Sequence, residues 1–180
     1  MEFISDKTLP EIKLIVPKIH GDTRGYFLEM YRIDLFKEAG ISTTFSQTNE
    51  SRSKKGVLRG IHLQKSPHAQ AKCIRVTEGE IFDVAVDLRP NLKSFGKWTG
   101  YYLNETNKHL LYIPEGFGHG FYVTSEYATI NYMCSNLYAP DFEQTLIYND
   151  PDVNIKWPIQ DHPILSKKDT NGLALSTFKK

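Results

Sequence analysis

The feature that most constrains the fold is a succession of short apolar runs separated by turn residues. The runs occupy residues 57–63, 72–77, 81–88, 98–103, 109–113, 120–124 and 129–135. Turn signals such as Glu78-Gly79 and Arg89-Pro90-Asn91 lie between them. Short runs at a spacing of roughly 8–12 residues are typical of an antiparallel sandwich or barrel. The sequence therefore predicts an all-β fold.

The two ends of the chain differ from this central part. Residues 12–16 and 26–31 predict two further strands, and the residues from His20 to Gly25 predict a loop rich in turns. Apolar residues recur at helical spacing over residues 32–39, which predicts a single short helix. After Tyr148 the pattern fades into a tail of short elements. Because no linker or repeat interrupts the chain, we expect a single domain over residues 1–180.

The run 81–88 is the most informative of the predicted strands. Its even-numbered residues are all apolar, so that one face belongs to the core. The other face carries two carboxylates, Asp83 and Asp87. These carboxylates either face solvent or line a polar interior of a barrel.

Charge and cysteine content exclude some classes of protein. Lysine and arginine total 22 against 21 acidic residues, a net charge of +1, which argues against binding to a nucleic-acid backbone. The two cysteines, Cys73 and Cys134, lie in apolar runs and are expected to be buried, reduced thiols. No leader-like segment opens the chain, and no run approaches the ~18 apolar residues of a membrane span. We therefore expect a soluble, cytoplasmic protein that does not bind membranes.

Residues 114–119 fit the pattern Pro-x-Gly-x-x-His, which resembles the second motif of the cupins, small jelly-roll barrels. In cupins a first motif supplies His-x-His and a glutamate, and these bind a metal together with the second-motif histidine. Here the matching positions hold His62, Gln64 and Lys72. Because metal ligands must be deprotonated electron donors, an amide and an ammonium make a poor site. We expect no metal.

The same positions predict acid–base chemistry instead. A histidine, a lysine and a tyrosine in one polar barrel can serve as base, oxyanion stabiliser and acid, and His62, Lys72 and Tyr132 are candidates. Each of them alone would more often be an ordinary core or surface residue. Arg59 stands three residues before His62, so the two side chains share a face only if a bulge intervenes, and Gly60 is where one could lie.

An ordered set of motifs extends over nearly the whole chain. The motifs are Asp22-x-Arg24-Gly25-Tyr26-Phe27-x-Glu29, Gln47-x-Asn49-x-Ser51, Gly56-Val57-Leu58-Arg59-Gly60-x-His62-x-Gln64, Pro67-x-x-Gln70-x-Lys72, Pro114-x-Gly116-Phe117-x-His119-Gly120-Phe121, Tyr138-x-Pro140 and Leu165-Ser166-x-Lys168-Asp169. Together they resemble the deoxythymidine-diphosphate-4-dehydrorhamnose 3,5-epimerase family. The resemblance implies a cupin-type jelly-roll barrel with one short N-terminal helix and a C-terminal tail of short elements.

The resemblance also implies an isomerase of rhamnose biosynthesis. Its substrate would be dTDP-4-dehydro-6-deoxy-D-glucose, inverted at carbons 3 and 5 to dTDP-4-dehydro-L-rhamnose without metal or other cofactor. His62 would be the base, oriented by Asp169. Lys72 would stabilise the enolate oxygen, and Tyr132 would deliver a proton to the opposite face of the ring.

Binding residues follow from the same resemblance. Arg24 and Arg59 would hold the diphosphate, because the planar guanidinium matches phosphate oxygens. Phe27 and Tyr138 would stack on thymine. Other positions that match substrate contacts are Glu29, Gln47, Asn49, His119, Glu143 and Lys168. Family members are homodimers that exchange N-terminal strands, so that Arg24, Phe27 and Glu29 would serve the site of the partner subunit.

Alternatives remain open from the residues alone. The enzyme could invert only carbon 3 or carbon 5, or act on another 4-keto nucleotide sugar. A metal-dependent cupin enzyme would need further ligands. A non-catalytic sugar-nucleotide-binding barrel would have no need of the acid–base residues.

Overall fold

The computed structural model describes residues 1–179 and consists mainly of antiparallel β-strands. The strands are β1 (Glu2–Ser5), β2 (Lys13–Val16), β3 (Ile19–Asp22), β4 (Gly25–Leu28), β5 (Gln47–Lys54), β6 (Leu58–Gln64), β7 (Lys72–Glu78), β8 (Glu80–Asp87), β9 (Trp98–Asn104), β10 (Leu110–Ile113), β11 (Phe117–Val123), β12 (Tyr127–Cys134) and β13 (Glu143–Thr145). The α-helices are α1 (Ile33–Glu38) and α2 (Lys167–Thr170), and 3-10 turns cover Pro140–Phe142 and Leu175–Lys179.

Two sheets pack face to face. One has the strand order β1-β2-β10-β7-β12-β5, and the other has the order β13-β6-β11-β8-β9. The hairpin of β3 and β4 forms a separate two-stranded sheet. Ile74 and Ile130 of the first sheet and Ala85 and Phe121 of the second meet in one buried cluster. This arrangement confirms the predicted all-β, jelly-roll architecture.

Strand β8 is buried on both faces. On one face Ala85 contributes to the cluster between the sheets. On the other face Val84 and Val86 pack against Leu175 and Phe178 of the C-terminal tail. The tail therefore covers the outside of the second sheet, a role that its fading pattern did not indicate. The carboxylates on the inner face are fully buried, so that the solvent-facing alternative is wrong.

The strands β6 to β12 lie where the sequence predicts them, with ends that differ by at most three residues. The predicted loop at residues 20–25 is instead part of the β3–β4 hairpin, which pairs His20 with Phe27. Strand β5 was not predicted, because its sequence is polar throughout. It pairs with β12 over its whole length and forms an edge of the first sheet.

Helix α1 confirms the predicted N-terminal helix, with Phe36 on its buried face. Helix α2 is a single turn that propensity alone did not reveal. Cys73 and Cys134 are buried and unpaired, as predicted. Within residues 1–179, no helix has the length and apolar character that crossing a membrane requires.

Candidate active site

A cavity of about 380 Å³ opens between the two sheets. It is lined by ten of the residues that the sequence predicts for the site: Gln47, Asn49, Arg59, His62, Lys72, His119, Tyr132, Tyr138, Glu143 and Lys168. His62 and His119 come from the five-stranded sheet, whereas Lys72 and Tyr132 come from the six-stranded sheet. The base and the acid predicted for this site therefore stand on opposite walls.

A bulge in β6 brings Arg59 and His62 to the same wall. His62 lies opposite His119 of β11, but Arg59 lies opposite Phe121, so that three steps on β6 match two on β11. Gly60 adopts a φ of +112°, and a Cβ there would approach the Cα of Gly120 to 2.5 Å. Only glycine fits this position without strain or displacement. The predicted bulge is confirmed.

The carboxylate of Asp169 holds the ring of His62. The His62 Nε2 to Asp169 Oδ1 distance is 2.6 Å, and the amide of Gly60 donates to the same oxygen at 3.2 Å. Ser166 caps helix α2 and donates its hydroxyl to Oδ2 at 2.7 Å. Burial alone would raise the pKa of Asp169, but the hydrogen bonds from His62 and Ser166 hold it below its ordinary value. The group is therefore a carboxylate at neutral pH.

His62 is suited to accept a proton. Burial lowers the pKa of His62, although the bond to Asp169 opposes this effect. The imidazole is therefore neutral at physiological pH. Because Nε2 is engaged by Asp169, Nδ1 is the nitrogen that remains to act as a base. The pair has the orienting arrangement of a catalytic histidine and its carboxylate.

Lys72 and Tyr132 lie on adjacent strands of the opposite wall. Cys134 pairs with Lys72, and Tyr132 pairs with Ile74. Burial lowers the pKa of Lys72 and raises the pKa of Tyr132. The tyrosine therefore keeps its proton at neutral pH and can deliver it to a substrate.

The mouth of the cavity is a polar network around Glu143. Lys168 Nζ lies 2.6 Å from its Oε2, and the hydroxyl of Tyr138 donates to the same oxygen at 2.8 Å. Burial opposes ionisation of Glu143, but these two hydrogen bonds hold its pKa below the ordinary value. Gln47 accepts from the amide of Tyr138 at 3.0 Å and donates to Asn49 at 2.8 Å. The aromatic ring of Tyr138 is thus fixed beside the entrance.

Comparison with known proteins agrees with this geometry. The family model described as dTDP-4-dehydrorhamnose 3,5-epimerase matches residues 6–177. The chain belongs to this family. A dTDP-4-dehydrorhamnose 3,5-epimerase of Neisseria gonorrhoeae is 48% identical over 98% of the chain, which spans 54% of that protein. One of Pseudomonas aeruginosa is 47% identical, with 93% of both proteins covered.

A solved structure extends the similarity to three dimensions. It is the dTDP-6-deoxy-D-glucose-3,5-epimerase of Legionella pneumophila in complex with dTDP-4-keto-L-rhamnose. It superposes with a TM-score of 0.94 at 44% identity, covering 97% of this chain and 93% of the other. The fold inferred from the family resemblance is therefore confirmed.

Gln64, which stands at the position of a cupin metal ligand, makes structural hydrogen bonds instead. The amide nitrogen of Gln64 donates to the carbonyls of His68 and Leu137 at 2.7 and 3.2 Å, and its oxygen accepts from the amide of Ala139 at 2.7 Å. Gln64 therefore ties two loops together. Among residues 1–179 no cluster of three or more His, Cys, Asp or Glu side chains could hold a metal. The donor set does not fit a cupin metal.

The structure also reveals residues that sequence reasoning did not assign to the site. Asp83 approaches Nε2 of His119 to 2.6 Å, which makes a second histidine–aspartate pair. Ser166 supports Asp169 as described above. A signal in the sequence was the placement of Asp83 on the carboxylate-bearing face of its strand. The partner of Asp83 lies 36 residues away, and no local pattern reports such a contact.

Three predicted binding residues lie outside this cavity. Arg24 and Phe27 stand on the β3–β4 hairpin, with 89% of the Arg24 side chain and 65% of Phe27 exposed. Arg24 pairs with Asp22, its neighbour on the hairpin. Glu29 follows the hairpin and lies 3.8 Å from Arg32. Within one chain the structure does not bring these residues to the cavity.

Proposed function

We propose that this protein inverts carbons 3 and 5 of dTDP-4-dehydro-6-deoxy-D-glucose and releases dTDP-4-dehydro-L-rhamnose. The observation that carries the proposal is the placement of a neutral, carboxylate-oriented histidine and a protonated tyrosine on opposite walls of one cavity. Membership of the epimerase family supports the same reaction. Relatives named as 3,5-epimerases, at 48% and 47% identity, support action at both carbons.

The first step is removal of a proton next to the ketone. The carbonyl at carbon 4 acidifies the protons on carbons 3 and 5, because either carbanion delocalises into an enolate. His62 takes the proton on Nδ1, and Asp169 stabilises the imidazolium that forms. General-base catalysis of this kind accounts for about 10²- to 10⁴-fold in rate.

The enolate oxygen gains negative charge as the proton leaves. Lys72 supplies a fixed positive charge in the same cavity. A cation held at a developing oxyanion in a site that excludes water contributes several kcal/mol to transition-state stabilisation. We assign Lys72 to this role.

Inversion requires that the new proton arrive on the other face of the sugar ring. Tyr132 stands on the wall opposite His62 and keeps its proton because burial raises its pKa. Proton transfer from its hydroxyl to carbon completes the inversion. This leaves His62 protonated and Tyr132 as a phenolate, and exchange with solvent removes the proton from His62 and returns one to Tyr132. The same residues then act on the second carbon after the sugar reorients.

The nucleotide is held at the mouth of the cavity. Arg59 supplies positive charge for the diphosphate, and Tyr138 supplies a face for thymine. Further contacts with the nucleotide sugar are assigned to Gln47, Asn49, Glu29, His119, Glu143 and Lys168. In a homodimer with exchanged N-terminal strands, Arg24 and Phe27 complete the site of the partner subunit. A cytoplasmic location and a single epimerase domain over residues 1–180 belong to the same proposal.

Proton NMR of the purified protein with dTDP-4-dehydro-6-deoxy-D-glucose in deuterated water tests this function. We expect deuterium at carbons 3 and 5 and a product with the L-rhamno configuration. Exchange at one carbon with a single inversion would instead identify a single-position epimerase. No exchange at either carbon would contradict the proposal.

A further inference from the structure

A second histidine–aspartate pair stands beside the first. His119 of β11 lies opposite His62 of β6 in the strand register and lines the same cavity. Its Nε2 is 2.6 Å from Oδ1 of Asp83 on β8. The reaction proposed above uses the carboxylate behind His62 but gives no role to the carboxylate behind His119.

The hydrogen bond to His119 engages only one of the two carboxylate oxygens of Asp83. The residue is fully buried, and its second oxygen, Oδ2, has no hydrogen-bond partner among the described residues. A buried carboxylate oxygen without a partner is costly, unless a positive charge nearby compensates. The carboxylate therefore needs a cation within the cavity wall.

Lys72 is the cation that lacks a counter-charge. Among residues 1–179 it makes no ion pair within 4 Å. The charged or titratable groups that act on it are Asp83 of β8, Cys134 of β12, Glu143 of β13, Lys168 of α2 and His62 of β6. Of the two carboxylates, Glu143 is already paired with Lys168. Burial raises the pKa of Cys134, so the thiol keeps its proton and Asp83 is the remaining negative group.

We propose that Asp83 is a positioning residue for the epimerase reaction, orienting His119 and supplying the buried negative charge that keeps Lys72 protonated. This inference rests on the proposed function, because it assigns a purpose to the charge of Lys72. By accepting from Nε2, Asp83 leaves Nδ1 of His119 for the substrate. Asp83 itself lies behind His119 and does not line the cavity.

Loss of the Asp83 charge is expected to shift the pKa of Lys72 in one direction. Burial lowers the pKa of Lys72, and the negative charge of Asp83 opposes that shift. Removing the charge must therefore let Lys72 lose its proton at a lower pH, and the enolate then loses its stabilising cation. Burial moves the two pKa values in opposite directions, lowering that of Lys72 and raising that of Tyr132. We therefore expect the alkaline limb of turnover to report on Lys72.

The test measures turnover against pH for the wild type, Asp83→Asn and a matched control, Asp87→Asn. Asp87 is an equally buried carboxylate on the same face of β8, but it binds Arg89 and Ser94 outside the cavity. We expect the alkaline limb of Asp83→Asn to move down by about 1 pH unit, the usual effect of one nearby charge. The acid limb, which reports on His62, should stay in place. Asp87→Asn should keep both limbs, measured on its folded fraction.

Two further variants keep the inference testable if Asp83→Asn does not fold. Asp83→Glu retains the charge and should keep the alkaline limb, whatever its maximal rate. Lys72→Arg should remove that limb up to the pH at which Tyr132 titrates, because a guanidinium stays protonated. An unmoved limb in Asp83→Asn, or a persistent limb in Lys72→Arg, would overturn the inference. A wild type that produces no epimer would instead overturn the proposed function.

Discussion

The barrel cavity and the β3–β4 hairpin carry parts of one predicted site, but they hold those parts differently. In the cavity His62 is held by a partner from a distant part of the chain, Asp169. On the hairpin the side chains proposed to bind the nucleotide are exposed, and Arg24 pairs with the neighbouring carboxylate of Asp22. The cavity is thus complete in geometry within one chain, whereas the hairpin becomes a binding surface only against another surface.

This difference separates the residues proposed for proton transfer from the residues proposed for nucleotide binding. Residues that move protons need fixed distances and altered pKa values, and both arise from burial. Residues that hold a nucleotide can be supplied by an exposed hairpin, provided that the hairpin packs against the site in the proposed dimer. We therefore expect substitutions in the cavity to affect turnover and substitutions on the hairpin to affect substrate affinity.

The largest effect is expected in the cavity, at His62. His62→Ala should lower turnover by at least ~10²-fold, because the variant lacks the proposed general base. Thymidine diphosphate should still bind, as measured by calorimetry. His162→Ala, at an exposed position in the tail, is the matched control and should turn over like the wild type. Wild-type turnover in His62→Ala would remove this residue from the mechanism.

Tyr132→Phe should separate proton exchange from inversion. Without the hydroxyl, His62 can still form the enolate and return a proton to the face from which it came. We expect a ring proton to exchange with deuterated water while product formation falls by about 10²-fold, the contribution of one general acid. Both rates are measured by proton NMR on one sample. Equal loss of the two rates would show that Tyr132 also takes part in proton abstraction.

On the hairpin, Arg24→Ala should raise KM and lower kcat/KM by about 10- to 100-fold, the effect of losing a charged hydrogen bond to the diphosphate. A hybrid dimer that pairs one Arg24→Ala chain with one His62→Ala chain shows which cavity each hairpin serves. If hairpins are exchanged, one site of the hybrid has both His62 and Arg24, and about half of the wild-type activity returns. The hybrid is isolated by co-expression with two different tags. If its activity is no higher than that of the Arg24→Ala enzyme, the hairpin serves its own chain or neither.

The sequence predicted the cavity better than its surroundings for identifiable reasons. The positions of His62, Lys72 and Tyr132 follow from alternation along strands and from one glycine bulge, and both are local patterns. The roles of Asp169 and the binding residues came from the family resemblance, because a contact across 107 residues leaves no local signal. Strand β5 was missed since its polar sequence faces the cavity on one side and solvent on the other.

The smallest effects are expected on stability, at one glycine of the cavity wall and one glycine of the hairpin. Gly60 and Gly25 both have positive φ values, +112° and +133°. A Cβ at Gly25 meets nothing within 4 Å, so Gly25→Ala should cost only backbone strain, about 1 kcal/mol. A Cβ at Gly60 meets the Gly120 Cα at 2.5 Å and the His119 carbonyl at 2.6 Å, so β11 must shift. Gly60→Ala should therefore lower the free energy of unfolding by about 3 kcal/mol, measured by urea denaturation. Equal losses in the two variants would mean that the bulge is not closely packed against β11, and that the cavity wall is no more rigid than the hairpin.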